Sequence, residues 1–372
     1  MTDGLPASRG GPAHEDIVYP ATIPFVVLHL SCFAVIWTGI STSALLLCVA
    51  LYLVRIFGVT GGYHRYFAHR SYRTSRGLQL LLALLAQSTT QRGVLWWSAV
   101  HRLHHAYSDT ERDIHSRRQH GFWYAHMGWI FAPSSQKPDY SVVQDLARYP
   151  ELVWLDRYPY LLPTTLAAVP CFLIAGWSGL FVGFAWSTTL IYHVTFAINS
   201  VAHGPGRRRY VTGDDSRNSF WLALLALGEG WHNNHHAYPN SARQGFRRGE
   251  IDVTYRILQV LALMHIVWDL REPPPDLLRN ARRPGIRAVG RAARLLAADV
   301  AGDLAAAGPE RAPARQALRR RARELYPEVP QEHLGAVIEG AAAEIGEGPE
   351  TDPDSRRSDM SLDGHERSRT AP

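Results

Sequence analysis

Hydrophobic residues gather in four runs long enough to cross a bilayer, at about 21–40, 43–59, 160–177 and 180–198. About 20 apolar residues in a helix span the hydrocarbon core. Only a few residues separate the runs within each pair, so each pair reads as a helical hairpin. A fifth apolar stretch, 77–97, is broken by Gln87, Ser88, Thr89, Thr90, Gln91 and Arg92. Such groups are costly to expose to lipid, so this stretch reads as a peripheral or protein-buried helix. Residues 1–20 form a polar N-terminal segment without an apolar signal-peptide core. The membrane domain, including the polar stretches between the runs, covers 21–272. After 273–275 the pattern changes again. Residues 273–346 form an Arg/Ala-rich extension with short amphipathic helices from 285, and 347–372 read as a disordered tail.

Hydrophobic residues make up 46% of the 372, with 11 Trp, and since the C-terminal third is polar the apolar content is concentrated before 270. The net charge of +6 is almost entirely arginine, Lys137 being the one lysine. Arg65, Arg70, Arg73 and Arg76 follow the second run, Arg207, Arg208 and Arg209 follow the fourth, and the turn at 176–179 has no charge. The positive-inside rule then places 60–158, everything after 199 and the N-terminus in the cytoplasm, as a multi-pass protein of the cell membrane. No nucleic-acid motif accompanies the basic excess, so nucleic acid is not an expected partner. Cys32, Cys48 and Cys171 lie in apolar runs without a Cys-x-x-Cys pair, which excludes a disulfide framework and a thiolate metal site.

Nine of the 18 histidines fall in four groups: His64 and His69; His101, His104 and His105; His203; and His232, His235 and His236. In the second and fourth groups the spacing i, i+3, i+4 puts three imidazoles on one helical face. The five-residue gap from His64 to His69 does not fit one face of an α-helix and predicts a helix end where the chain leaves the membrane. Imidazole suits zinc, copper, iron and nickel. Nine ligands are too many for one four-coordinate zinc, whereas two metals with four or five each absorb them. No His-Glu-x-x-His is present for a zinc peptidase. The other nine histidines read as structural, His115 least clearly because it closely follows the second group. Asp109, Asp113 and Glu229 lie close to the groups and are candidates to accept the ligands' second N–H.

These motifs, with Asn199-Ser-Val-Ala-His203 and Gly228-Glu-Gly-Trp231, resemble the membrane fatty-acyl desaturases of the stearoyl-CoA type, bacterial members especially, over about 20–272. The resemblance implies an all-α integral membrane fold, four transmembrane helices under a cytoplasmic helical cap. It implies two irons held by the nine histidines, with Asn199 reaching one through water, and O2 as co-substrate. The implied reaction places a cis double bond, at carbon nine, in a saturated acyl chain carried on CoA or a lipid. Electrons come from an external donor such as a ferredoxin- or flavoprotein-type reductase. Gln91, Trp97 and Thr195 match the bend of the family's acyl tunnel. Tyr52 and Ile56, four apart on one helical face, match the positions that cap its far end and imply a preference for sixteen over eighteen carbons. Ala99 and Val100 depart from the Arg-Asp that animal acyl-CoA enzymes carry there. A hydroxylase with the same centre is the nearest alternative. A His-rich metal transporter is disfavoured, because it calls for ligands near mid-membrane.

Overall fold

Ser41 starts the second apolar run as a helix, its hydroxyl accepting from the Ala44 amide. In the computed structural model, which describes residues 22–306 and 314–346, the chain then stays helical from Thr42 to Ala68. Thr42–Phe57 is ordinary α-helix (α2), and Gly58–Ala68 continues it with the wider turn of a π-helix. The helix ends where the sequence reading placed an end, with His69 as its C-cap, but its last turns do not keep the 3.6 residues per turn that the reading assumed. Here the His69 amide donates to the His64 carbonyl at 3.1 Å, five residues back. That wider turn brings the two rings onto one side.

The third and fourth runs form one helical stretch, Leu161–Ser200, that folds back on itself. Ala175 (φ −135°) and Gly176 (φ 58°) leave helical geometry inside α5 (Leu161–Ser178), and the chain returns through α6 (Ser187–Ser200). The arms meet so closely at Gly179 that a Cβ there would lie 2.0 Å from the Cys171 carbonyl oxygen. Among the described residues two stretches are long and apolar enough to cross a membrane, Thr42–Ala68 and Leu161–Ser200. The first run is shorter in its described part, Ile23–Thr38, which begins with α1 (Ile23–Ser31) and ends at Gly39.

The fifth stretch breaks at the polar residues. Helix α3 (Arg76–Gln87) has 12 residues, about 18 Å at 1.5 Å per residue, too short to cross a bilayer. A loop follows in which Thr90 and Arg92 take φ of 59° and 66°, and α4 (Val94–Tyr107) carries the second histidine group. Two-residue strands, Arg73–Thr74 and Val267–Trp268, pair antiparallel and make the only sheet among the described residues. The main apolar core gathers Ile56, Tyr63, Phe67, Leu82, Leu95 and Leu258.

The chain divides into two compact units after Arg283. In the second unit, helices Ile286–Ala306, Ala314–Leu325 and Gln331–Glu344 pack on one another. Ala293, Leu296, Leu318, Ala322, Val337 and Ala341 are buried there. The segments 1–20 and 347–372, read above as a polar N-terminal segment and a disordered tail, lie outside the described residues.

Candidate metal centre

All nine histidines converge, in two groups. His64, His69, His101, His105 and His235 form one, and His104, His203, His232 and His236 the other, with ligand atoms within 4.8 Å of one another in each. The split follows from helical geometry. Residues i and i+4 lie about 40° apart around a helix, while i+3 falls on the other side of i. On α4, His101 and His105 therefore serve the first group and His104 the second. On α7 (His232–Ala237) the pattern is reversed, with His232 and His236 in the second group and His235 in the first.

It is the Nε2 atoms that converge. Those of His69 and His101 are 2.8 Å apart, His101 and His105 3.1 Å, His105 and His235 2.9 Å, and His235 and His64 3.0 Å. In the second group, His232 Nε2 lies 3.1 Å from His203 Nε2 and 3.0 Å from His236 Nε2. Nitrogens bound to one metal at about 2.0–2.1 Å and at right angles sit about 3 Å apart, as these do.

Four of the outward Nδ1 atoms meet carboxylates. His64 faces Glu229 at 2.5 Å, His104 faces Asp113 at 3.0 Å, His203 faces Asp109 at 2.7 Å and His236 faces Asp214 at 2.8 Å. A carboxylate accepts, so each of these Nδ1 atoms carries a proton, which leaves Nε2 as the atom that would bind a metal. Lone pairs packed 3 Å apart repel unless a cation lies between them. Burial, helped by neighbouring imidazoles, pushes His69, His101, His105, His232 and His235 well below the usual histidine range, into the neutral form that binds metal. Burial alone would raise the four carboxyls, but the imidazoles hold them below the usual range. Two nitrogen donor sets, of five and four, fit a pair of metal ions.

Asp109, Asp113 and Glu229 thus each contact a histidine from the sequence-predicted set. Asp214 was not singled out, since it lies 22 residues from His236 and no local spacing marks it. Gln244 was also missed; its Nε2 lies 3.3 Å from His64 Nδ1 and 2.9 Å from Glu229 Oε2. Buried Arg65 joins Glu229 to Asp252 at 3.1 and 2.9 Å. Gly228 allows this approach: its φ is 123°, and a Cβ would lie 2.5 Å from Asp252 Oδ1. His115 is buried beside His104 and Asp113. His29, His126 and His193 form a separate chain, with His193 3.1 Å from His29 and 3.0 Å from His126.

A cavity opens beside the first group, lined by Gln91, Trp97, His101, His115, Thr195 and Asn199 among others. Gln91 Nε2 donates to Thr195 Oγ1 at 3.2 Å, and Trp97 Nε1 donates to Gln91 Oε1 at 3.4 Å. Asn199 lines the cavity with His101. Tyr52 and Ile56 line neither this cavity nor the apolar one that adjoins it at Thr90 and Tyr160. Ile56 is buried in the main core, and the Tyr52 hydroxyl donates to the Leu225 carbonyl at 2.7 Å.

Compared with known proteins, residues 40–249 match the family described as fatty acid desaturase. The chain is 35% identical over 253 residues to the sn-1 stearoyl-lipid 9-desaturase of Anabaena variabilis, covering 67% of this chain and 92% of that protein. It is 38% identical over 242 residues to the sn-2 palmitoyl-lipid 9-desaturase of Nostoc sp. (strain 36), covering 63% and 84%. It is 34% identical over 250 residues to the acyl-CoA C20 Delta5-desaturase of Anemone leveillei, covering 66% and 79%.

Proposed function

This chain belongs to the fatty acid desaturase family and desaturates fatty acyl chains; from that premise we propose that it holds two irons and places a cis double bond at carbon nine of a saturated, lipid-linked long-chain acyl group. The observation that carries this reading is the pair of Nε2 clusters beside a cavity crossed by the Gln91, Trp97 and Thr195 hydrogen bonds. When bound, the irons couple removal of two hydrogens from adjacent methylenes to reduction of O2 to two waters, with two electrons from a separate redox protein and two protons. The chain's own groups do the rest. Asp109, Asp113, Asp214 and Glu229 fix the tautomer and aim of four ligands. Asn199 lines the cavity with His101 and would reach one iron through water. Trp97, Val100, Phe196 and Trp129 wall the cavity with apolar surface and exclude bulk water. The hydrogen-bonded Gln91, Trp97 and Thr195 hold the acyl chain bent at the irons.

Two observations support a lipid carrier. The Anabaena and Nostoc relatives are named for acyl-lipids. Ala99 and Val100, buried and apolar, stand where animal acyl-CoA enzymes carry charge. Lipid profiling of a host with and without the chain tests the function. We expect new cis-9 monoenes in the glycerolipid fraction; hydroxylated chains, or no new product, would overturn the reading.

We also propose four spans under a cytoplasmic cap, with both termini on that side. Gly176 turns Leu161–Ser200 into two arms, and Ile36, Trp37, Leu46 and Leu173 present exposed apolar side chains suited to lipid. In a chain cleared of its native cysteines, single cysteines at exposed Ser75 and Gln119 should be labelled from the cytoplasm only. Labelling from opposite sides would mean that 77–97 crosses the membrane and that His64 and His101 cannot meet.

Tyr52 and Ile56 are proposed to close the far end of the acyl path. Their packing in the core that includes Trp97 supports this. Ile56→Ala should move the preference from sixteen toward eighteen carbons by about 1–2 kcal/mol, at about 0.8 kcal/mol per buried methylene. Competition between the two chain lengths measures it, and an unchanged ratio removes Ile56 from the path.

A further inference from the structure

Two arginines are buried in the helix Thr42–Ala68. Arg65 meets two carboxylates, but Arg55, 1% exposed, meets none among the described residues. Arg55 Nε donates to Ser88 Oγ at 3.3 Å, and Nη2 donates to the Ser88 carbonyl. On the other side Nη1 donates to Ser187 Oγ at 3.1 Å and Nη2 to Thr188 Oγ1 at 2.8 Å, while the guanidinium lies 5.0 Å from the Phe184 ring centroid. The acceptors are oriented for this. Ser88 gives its hydroxyl proton to the Leu85 carbonyl, and Ser187 and Thr188 give theirs to carbonyls of Gly183 and Phe184, so their lone pairs face Arg55. A cation at this depth with only neutral partners is costly to keep, and such residues in membrane segments mark function more than stability.

What Arg55 joins indicates its use. Ser88 ends α3 and opens the loop that presents Gln91, and a cation suits that helix C-terminus. Thr188 lies on α6, one turn before Tyr192 and two before Thr195. The loop and α6 meet in three rungs. Arg55 bridges Ser88 to Thr188, the Tyr192 hydroxyl donates to the Thr90 carbonyl at 2.9 Å, and Gln91 donates to Thr195. The loop needs such ties, because Thr90 and Arg92 hold left-handed backbone conformations that side-chain-bearing residues rarely adopt unaided.

We propose that Arg55 is a positioning residue for regiochemistry: it fixes the register of loop 88–91 along α6, and with it the carbon held at the bend. This rests on the reading above that Gln91, Trp97 and Thr195 hold that bend. The test expresses the full chain as wild type, Arg55→Met, Arg55→Lys, Thr188→Val and Gln91→Ala, and resolves the double-bond position of the products by mass spectrometry. Arg55→Met should raise displaced isomers on the order of ten-fold, since misplacement by about 1 Å has effects of that size or larger. Arg55→Lys and Thr188→Val should shift the same ratio less. If Arg55→Met yields no protein, the two milder variants decide. Gln91→Ala shifting the ratio while the Arg55 and Thr188 variants keep the wild-type ratio, whatever their total yield, would overturn the proposal alone. An unshifted ratio in Gln91→Ala would overturn the bend reading and the proposal with it.

Discussion

Alanine at His104 or His235 should abolish desaturation while the chain still inserts in the membrane. His235 Nε2 sits between His105 and His64, at 2.9 and 3.0 Å, so its loss opens the middle of the five-nitrogen group. His104 is one of only four nitrogens in the other group. If two irons act as a pair, as proposed, emptying either position stops the reaction rather than slowing it in proportion. Both side chains sit on short-range helical scaffolds, α4 and α7, whose backbones do not depend on the imidazole. Product analysis in membranes containing matched amounts of each variant reads the effect. Either variant retaining a tenth of wild-type turnover would show that its histidine is not a ligand.

Neutralising the carboxylates behind the ligands should cost about 10–100-fold in activity or metal retention. Asp109 is the sharpest case. It accepts from His203 Nδ1 at 2.7 Å and from the Asp215 amide at 2.8 Å, fully buried. In Asp109→Asn the amide can turn its NH2 toward His203, which moves the ring proton to Nε2 and aims it at the metal position. Glu229→Gln acts in the same way on His64 and also leaves Arg65 with Asp252 as its one carboxylate partner. Iron retained after dialysis against a chelator, measured beside turnover, checks both. Wild-type retention and turnover in Glu229→Gln would remove Glu229 from the supporting set.

Much of the centre was legible because its information is local. The i, i+3, i+4 spacing puts three rings on one helix face, and the polar cluster at 87–92 argued against a span through 77–97, although that stretch, expected as one helix, forms two, Arg76–Gln87 and Val94–Tyr107. The hydrogen bonds among Gln91, Trp97 and Thr195 join positions that only the family resemblance had singled out. What was missed depends on distance or on an unusual turn. The helix end at His69 was legible, but residue periodicity alone does not show that Gly58–Ala68 winds as a π-helix and so brings the His64 and His69 rings onto one side. Asp214 and Gln244 reach the histidines through folding of the loops 204–219 and 238–252, which carry no repeating pattern. Arg55 was not singled out, because nothing near it in the sequence marks it. Its partners, Ser88, Ser187 and Thr188, come from two other helices.

The central claim is that nine imidazoles hold two irons that carry out the desaturation. Metal analysis of the full chain purified in mild detergent, with turnover measured on the same sample, tests it most directly. The account predicts close to two irons per chain and activity that rises and falls with iron content. A preparation fully active with zinc alone, or with one metal per chain, would contradict it.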